Sequence, residues 1–457
     1  MFNERAVCQE VIRRACELDW PAKRLVVQVL DDSTDVVTRD LIDAAAEEWA
    51  ERGVRVEVIR REHRGGYKAG ALKNGMNFVG DCPYVCIFDA DFQPEPSFLR
   101  RTVPYLMHDP RVGYVQARWT FTNANESMLT KVQEISLNFH VKCEQYVSSA
   151  DGSFFNFNGT AGVWSRDCIR AVGGWESRTT VEDMDLSLRA YLGGYRAIFL
   201  PDVTCKNELP SSFYAYRKQQ HRWSCGPMQL WCRCFRNIWT SQHVNFFEKV
   251  QIFFFFFGIR KFGTHLVTLT LFCTLVPLSV WFSGLHVPFW ALVYVPLLTS
   301  VATACFTDGG FLHAIIYVLF ENAMCLVRTW AVVSGLLNLP RAQEWIVTTK
   351  FGTSASGRAL GSGKRVEAGS LLPSLSFNFS FNRIYAAEMV MSSFVLVSSI
   401  YGMAVLHRWD FSLFLFIQGL AFLAFGLNLV DLDAPSIGVA ILEPTPKILQ
   451  RTKTSPF

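Results

Sequence analysis

The sequence predicts two units: an α/β domain on a doubly wound, mostly parallel sheet over residues 1–240, and a membrane domain of apolar helices over residues 241–457. Three observations predict this. In the first half, short β-branched runs that end in acidic residues alternate with helical patterns, as the strands and crossovers of a parallel sheet do. Half of all residues are apolar, 38 of them phenylalanine, and the composition shifts near residue 245. Beyond that point lie four apolar stretches of on the order of 20 residues, the length that crosses a hydrocarbon core.

Each element follows in order. Met1-Phe2-Asn3-Glu4 leads into an amphipathic helical pattern without a basic patch and apolar run, so no signal peptide is expected there and insertion should come from later segments. Leu25 to Leu30 is a nearly continuous apolar run ending in Asp31-Asp32, the signature of a buried strand. Val36 to Arg52 reads as a helix, Val54 to Ile59 as a strand, and Tyr84 to Phe88 as a strand ending in Asp89-Ala90-Asp91. Doubly wound sheets bind ligands at the carboxyl ends of their strands, which is where these acids fall.

The second half opens with five consecutive phenylalanines, Phe253 to Phe257. Leu266 to Trp281, Pro288 to Phe306, Ala386 to Leu406 and Phe411 to Val430 are the apolar stretches, giving about four spanning helices. Phe311 to Leu339 carries His313, Glu321 and Arg328, so an interfacial position or a poor crossing is expected. Gly352 to Gly369, rich in Gly and Ser, reads as a loop.

The charge balance, 44 basic against 40 acidic residues for a net +4, lacks the basic excess of a nucleic-acid binder. The thirteen cysteines form no paired framework. Cys225, Cys232 and Cys234 lie closest together but lack a second knuckle or spaced histidines, so they read as reduced structural residues rather than zinc ligands.

Four signatures carry chemistry: Asp31-Asp32, Asp89-x-Asp91, Glu182-Asp183 after Thr179-Thr180, and Gln219-x-x-Arg222-Trp223. Singly each is weak. A D-x-D pair is often a solvated turn, and an E-D pair at a helix start is more often a cap that suits the helix dipole. A tryptophan before a membrane segment is commonly an interface anchor.

Together and in this order they resemble the processive members of glycosyltransferase family 2. Within it, the chain is similar to the plant and green-algal cellulose-synthase-like A and C groups. The stretches that carry the resemblance are MFNE, VLDDSTD, GYKAGALK, FDADFQPE, VQARW, FNGTAGVW, GGWESRTTVEDMDL and YRKQQHRWSCGPMQL, with ENAMCLVRTWAVVSGLLNL and EWIVTTKFG in the membrane half. The resemblance implies a GT-A-type catalytic domain, a nucleotide-sugar donor, a growing polysaccharide, surrounding membrane lipid, and a multi-pass protein of the Golgi membrane.

It also implies roles. A diphosphate leaving group is stabilised by a hard cation on carboxylate oxygens, Mg²⁺ or Mn²⁺, held by Asp91 and Asp89. Asp31 and Asp32 suit nucleoside contact, and Asp89 reaches the donor. Lys68 and Lys73, with Arg222, bring positive charge to the diphosphate. Gln219 and Trp223 meet the acceptor, the indole by stacking on the sugar face. Asp183 is the candidate general base of a single inverting displacement, and Glu182 orients its loop.

Relatives of this kind carry a transmembrane helix and a strand before MFNE, so a sheet lacking its first strand, with an exposed apolar edge, is the expectation here. KAGAL, DDSTD and KNELP with SCGP lean to the A group, and SGLLNL with EWIVTTK to the C group. The implied activity is synthesis of a β-1,4-mannan or glucomannan backbone from GDP-mannose and GDP-glucose. The alternative is the β-1,4-glucan backbone of xyloglucan from UDP-glucose. A rival of another class, a membrane transporter or receptor with an α/β binding domain, needs the helices and a pocket but not the ordered acids.

Overall fold

A computed structural model describes residues 1–282, 310–339 and 383–431, with scattered residues between 288 and 302. Pro288 to Phe306 therefore falls mostly outside the described residues, and Gly352 to Gly369 wholly so.

After α1 (Cys8–Cys16), β1 (Val26–Asp31) pairs in parallel with β2 (Arg55–Arg60) across the crossover helix α2 (Val36–Glu51). Asp35 starts α2 by accepting from the Thr38 amide at 3.0 Å, and Ile42, Ala45 and Ala46 form its buried face. Then come α3 (Tyr67–Gly75), β3 (Tyr84–Ile87), β4 (Gln93–Pro94), α4 (Phe98–His108) and the long β5 (Val112–Phe121). Next are α5 (Met128–Phe139), a π-helical turn (His140–Gln145), α6 (Tyr146–Asp151), β6 (Gly162–Ser165), α7 (Arg166–Ala171), α8 (Glu182–Leu192) and β7 (Arg196–Asn207).

The larger sheet has the order β3-β6-β5-β7-β4. It is mixed rather than mostly parallel: β5 and β7 run parallel, while β3–β6, β5–β6 and β4–β7 are antiparallel. The βαβ rhythm stops at β3. The chain then reaches β6 through the helices after β5 and enters the sheet from the opposite end. Val115, Val163 and Trp164 at its centre are fully buried.

β1 and β3 are not bonded to each other, so β1 and β2 form a separate sheet. Met1 lies on the free edge of β1. Its amino group donates to the Leu30 carbonyl at 2.6 Å, and its carbonyl accepts from the Asp32 amide at 3.0 Å, the two bonds of a parallel bridge to Asp31. Val27, Val29, Val85, Cys86 and Ile87 line the space between the two sheets.

The chain continues into α9 (Phe213–Thr240), then α10 (Phe246–Trp281), α11 (Gly310–Ala323), α12 (Cys325–Leu336), α13 (Ala386–Ala404) and α14 (Trp409–Gly426). Leu266 to Trp281 is the second half of α10, which runs unbroken from Phe246 for 36 residues. By length and composition α10 and α13 suit a membrane crossing. Ile315–Ala323 and Cys325–Leu336 do so together, bent by 43°. Phe411–Gly426 is apolar but shorter.

Two arginines, each paired with a carboxylate, tie this half to α9. Arg328 donates to Glu321 at 2.9 Å, to Gln220 of α9 at 3.1 Å and to the Tyr216 hydroxyl at 3.4 Å. Arg217 of α9 meets the buried Glu388 of α13 and stacks on Tyr385, 4.0 Å from the ring centre. α9 is thus held on two sides by the apolar helices.

Candidate active site

A cavity of about 1270 Å³ runs from the space between β1 and β3 to the start of α9. Asp32, Lys68, Asp89, Asp91, Glu182, Asp183, Gln219, Arg222 and Trp223 all line it. Four separated sequence signatures therefore converge on one opening.

Asp31 and Asp32 part company because neighbouring residues on a strand face opposite ways. Asp31 is buried and does not line the cavity. It accepts from the Ser33 amide at 2.9 Å and from Arg60 of β2 at 2.8 Å, which outweigh burial and hold its carboxyl below the usual range. Asp31 ties the first sheet together instead of meeting a nucleoside. Asp32 faces the cavity and accepts from Arg61 at 2.8 Å.

Lys68 and Lys73 also separate. Five residues along a helix turn the side chain by roughly 140°, so Lys73 points outward, exposed, and does not line the cavity. Lys73 is thus not placed for diphosphate contact. Lys68 points inward, binding the Asp89 carboxylate and donating to the Gly159 carbonyl at 2.9 Å. Burial works against its charge, but Asp89, Glu182 and Asp183 prevail and raise its pKa. Gly70 is required nearby: a Cβ there would lie 2.1 Å from the Gly65 carbonyl oxygen and 2.6 Å from Arg61 Nη1.

Asp89 and Asp91 sit in the turn from β3 to β4. The Asp89 amide donates to Thr160 Oγ1 at 2.8 Å, and Asp91 Oδ2 accepts from the Glu208 amide at 3.5 Å. Glu182 and Asp183 open α8, where the helix dipole favours negative charge. Burial, then the charge of Asp183, pushes the Glu182 carboxyl up to about 7. Burial raises Asp183 too, partly offset by Lys68.

Gly159, at φ +85°, is the hinge of this arrangement. A Cβ on it would lie 3.0 Å from Asp183 Oδ2 and 3.4 Å from Lys68 Nζ. One residue's backbone therefore separates the candidate base from the lysine–aspartate pair. Two residues beyond Asp183, the fully buried Asp185 accepts from Arg189 Nε at 3.0 Å and is bonded by Arg178, anchoring the start of α8.

α9 supplies the remaining wall. Gly226, of the Ser224-Cys225-Gly226-Pro227 run, lets the helix approach the catalytic loop: a Cβ would lie 2.5 Å from Val181 Cγ1 and 2.8 Å from Thr180 Oγ1. Burial lowers the Arg222 pKa, and Glu182, Asp89 and Asp183 pull it back, so this cation faces the acids across the cavity.

Residue-by-residue reading missed Glu4, Arg64 and Gly159. Glu4 lines the cavity close enough for Asp91 and Asp89 to add to the effect of burial in raising its carboxyl. Its signal was the MFNE string, and that of Gly159 the FNGTAG string.

A model of glycosyl transferase family 2 matches residues 1–160, and one of glycosyl transferase family group 2 matches residues 84–306. The probable glucomannan 4-beta-mannosyltransferase 11 of Oryza sativa subsp. japonica is 43% identical over 446 residues, covering 95% of this chain and 78% of that protein. The chain belongs to glycosyltransferase family 2. Glucomannan 4-beta-mannosyltransferase 9 of Arabidopsis thaliana is 43% identical over 438 residues, or 95% of this chain and 80% of the relative. The family 2 fold is matched by a mannosyltransferase from Pyrobaculum calidifontis solved with GDP-mannose and Mn²⁺, at 20% identity and a TM-score of 0.53 over 74% of this chain and 86% of that one. The protein is a glycosyltransferase with helices suited to a membrane, and the transporter or receptor alternative is set aside.

Proposed function

We propose that this family 2 enzyme extends a β-1,4-mannan or glucomannan backbone by inverting transfer from GDP-mannose, with GDP-glucose as a second donor, in the Golgi membrane. The observation that carries the reading is the grouping of Asp183, Lys68 and Asp89 about Gly159 in a chain 43% identical to glucomannan 4-beta-mannosyltransferases.

Asp183 takes the proton of the acceptor hydroxyl as that oxygen attacks the anomeric carbon. One displacement on an α-linked donor leaves a β-linkage. Lys68 and Arg222 supply the positive charge that the departing diphosphate meets. Trp223 stacks on the acceptor sugar, and Gln219 bonds its hydroxyls.

The acids fit a hard divalent cation. Among the described residues no three His, Cys, Asp or Glu side chains group for a metal. Asp91 and Asp89 would supply one or two oxygens and the diphosphate the rest, as sites of the Mg²⁺ type do. Such an ion, Mg²⁺ or Mn²⁺, supplies Lewis-acid stabilisation of the leaving diphosphate. The relative solved with GDP-mannose and Mn²⁺ supports this choice.

Membranes bearing the protein, incubated with radiolabelled GDP-mannose, GDP-glucose or UDP-glucose, test the reading. Alkali-insoluble label from GDP-mannose, released by an endo-β-mannanase, is the expected result. Label from UDP-glucose alone would transfer the chain to the glucan alternative.

A further inference from the structure

Arg64 has no partner that its charge requires. It sits in the loop between β2 and α3, facing the cavity beside Asp32 and Glu4. Its guanidinium carbon lies 3.5 Å from the centre of the Phe2 ring and 5.2 Å from that of Tyr67. Its Nε is shielded from water and makes no hydrogen bond. The neighbouring acids are already engaged: Asp32 holds Arg61 at 2.8 Å, and Glu4 accepts from the Phe2 amide at 3.1 Å. Among the described residues Arg64 forms no ion pair. A guanidinium N–H shielded from water and without a partner is costly unless a ligand completes it.

The position narrows the ligand. Asp32 directly follows β1, and Arg64 lies in the loop that leaves its parallel neighbour β2, at the end of the sheet where doubly wound folds seat a nucleoside. The residues that suit the diphosphate end come from elsewhere, Asp91 from the turn after β3, Lys68 from α3 and Arg222 from α9. The guanidinium fork narrows it further. Guanine presents O6 and N7 as adjacent acceptors that such a fork meets bidentately. Adenine puts a donor where Arg64 needs an acceptor, and the two carbonyls of uracil are separated by N3–H and form no adjacent acceptor pair. The planar stack on Phe2 holds the fork in one orientation, so little freedom is lost on binding.

We propose that Arg64 selects a guanine base in the donor, its fork reading O6 and N7. This rests on the reading of the protein as a transferase that uses a GDP-sugar.

Calorimetric binding of GDP, UDP, IDP and 7-deaza-GDP to the full chain in detergent tests it, with wild type, Arg64→Ala and Arg64→Lys. Wild type should prefer GDP to UDP. Arg64→Ala should weaken GDP and IDP on the order of 10–100-fold, with UDP nearly unchanged, and Arg64→Lys should recover only part of the loss. 7-Deaza-GDP should bind wild type more weakly than GDP, and that gap should close in Arg64→Ala. An equal loss for GDP and UDP would make Arg64 a phosphate contact and overturn the proposal. So would a 7-deaza-GDP affinity equal to that of GDP in wild type, a result that needs no variant to fold. A wild type that prefers UDP would instead sink the GDP-sugar reading, whatever the variants do.

Discussion

Lys68 places its ammonium on the carboxylate of Asp89, so the lysine of α3 and the first acid of the D-x-D turn neutralise each other at the floor of the cavity. The two carboxylates of that turn are therefore not equivalent. Asp89 is held by an internal lysine, whereas Asp91 lines the cavity and accepts from the Glu208 amide at 3.5 Å. Metal use should depend on Asp91 more than on Asp32. Asp91→Ala should abolish polymer formation, a loss of at least about 10²–10³-fold, at any metal concentration. Activity restored in full by excess Mn²⁺ would count against direct ligation, and wild-type rates unchanged in EDTA would remove the metal from the reaction.

The Glu182–Asp183 pair gives the reaction a pH dependence of definite sign. Burial first and Asp183 second raise Glu182 from its ordinary value to about 7. A raised carboxyl binds its proton more tightly in the folded state, so that contribution to stability is complete at low pH and is lost as pH climbs through about 7. Activity runs the other way, because the base must be ionised. Burial raises Asp183 as well, so the rate should rise with pH above the ordinary carboxylate range, and the apparent value belongs to the pair. Glu182→Gln removes one charge beside Asp183, so the acid limb should move to lower pH. A limb that stays in place would mean that the pair does not control the rate.

Much of this was legible in the sequence. The strand runs, the α2 helix and the four signatures sit where periodicity and acid-terminated strands put them. What the sequence hid was mostly direction. Asp31 and Asp32 look alike in a string and separate only when β1 pairs with β2. Lys68 and Lys73 divide when α3 winds. Close approach was hidden too. Gly159 and Gly226 are ordinary letters until Asp183 and Val181 come within a Cβ of them. The mixed sheet depends on the entry direction of β6, which no local pattern records.

Arg328 read as a charge that would keep its helix at the interface. The structure gives it Glu321 on the same helical pair and Gln220 from 108 residues away. Breaking such a buried pair on one side costs about 3–5 kcal/mol, mostly from the charge left behind. Arg328→Gln should therefore destabilise the protein more than Arg328→Gln with Glu321→Gln, measured as Tm in detergent. A double variant less stable than the single one would mean that Glu321 is needed for something other than Arg328.

Asp183→Asn tests the chemistry most directly. Its carboxylate lies across Gly159 from Lys68, 3.0 Å from where a Cβ on that glycine would stand, and it opens α8 above a base of buried Asp185 bonds. An inverting transfer has no covalent intermediate to share the work, so the base must meet the acceptor hydroxyl itself. Asparagine keeps the shape and removes the basicity. Transfer should fall by on the order of 10²–10⁴-fold, while GDP binding should persist, because the proposed diphosphate contacts, Lys68, Arg222 and Asp91, are left in place. The acceptor affinity should also persist, since Trp223 and Gln219 come from α9. If the variant loses donor binding as well, Asp183 is part of the donor site. Should transfer continue near the wild-type rate, the proton leaves by another carboxylate, and Glu182, whose pKa of about 7 already suits a base at neutral pH, is the one to replace next.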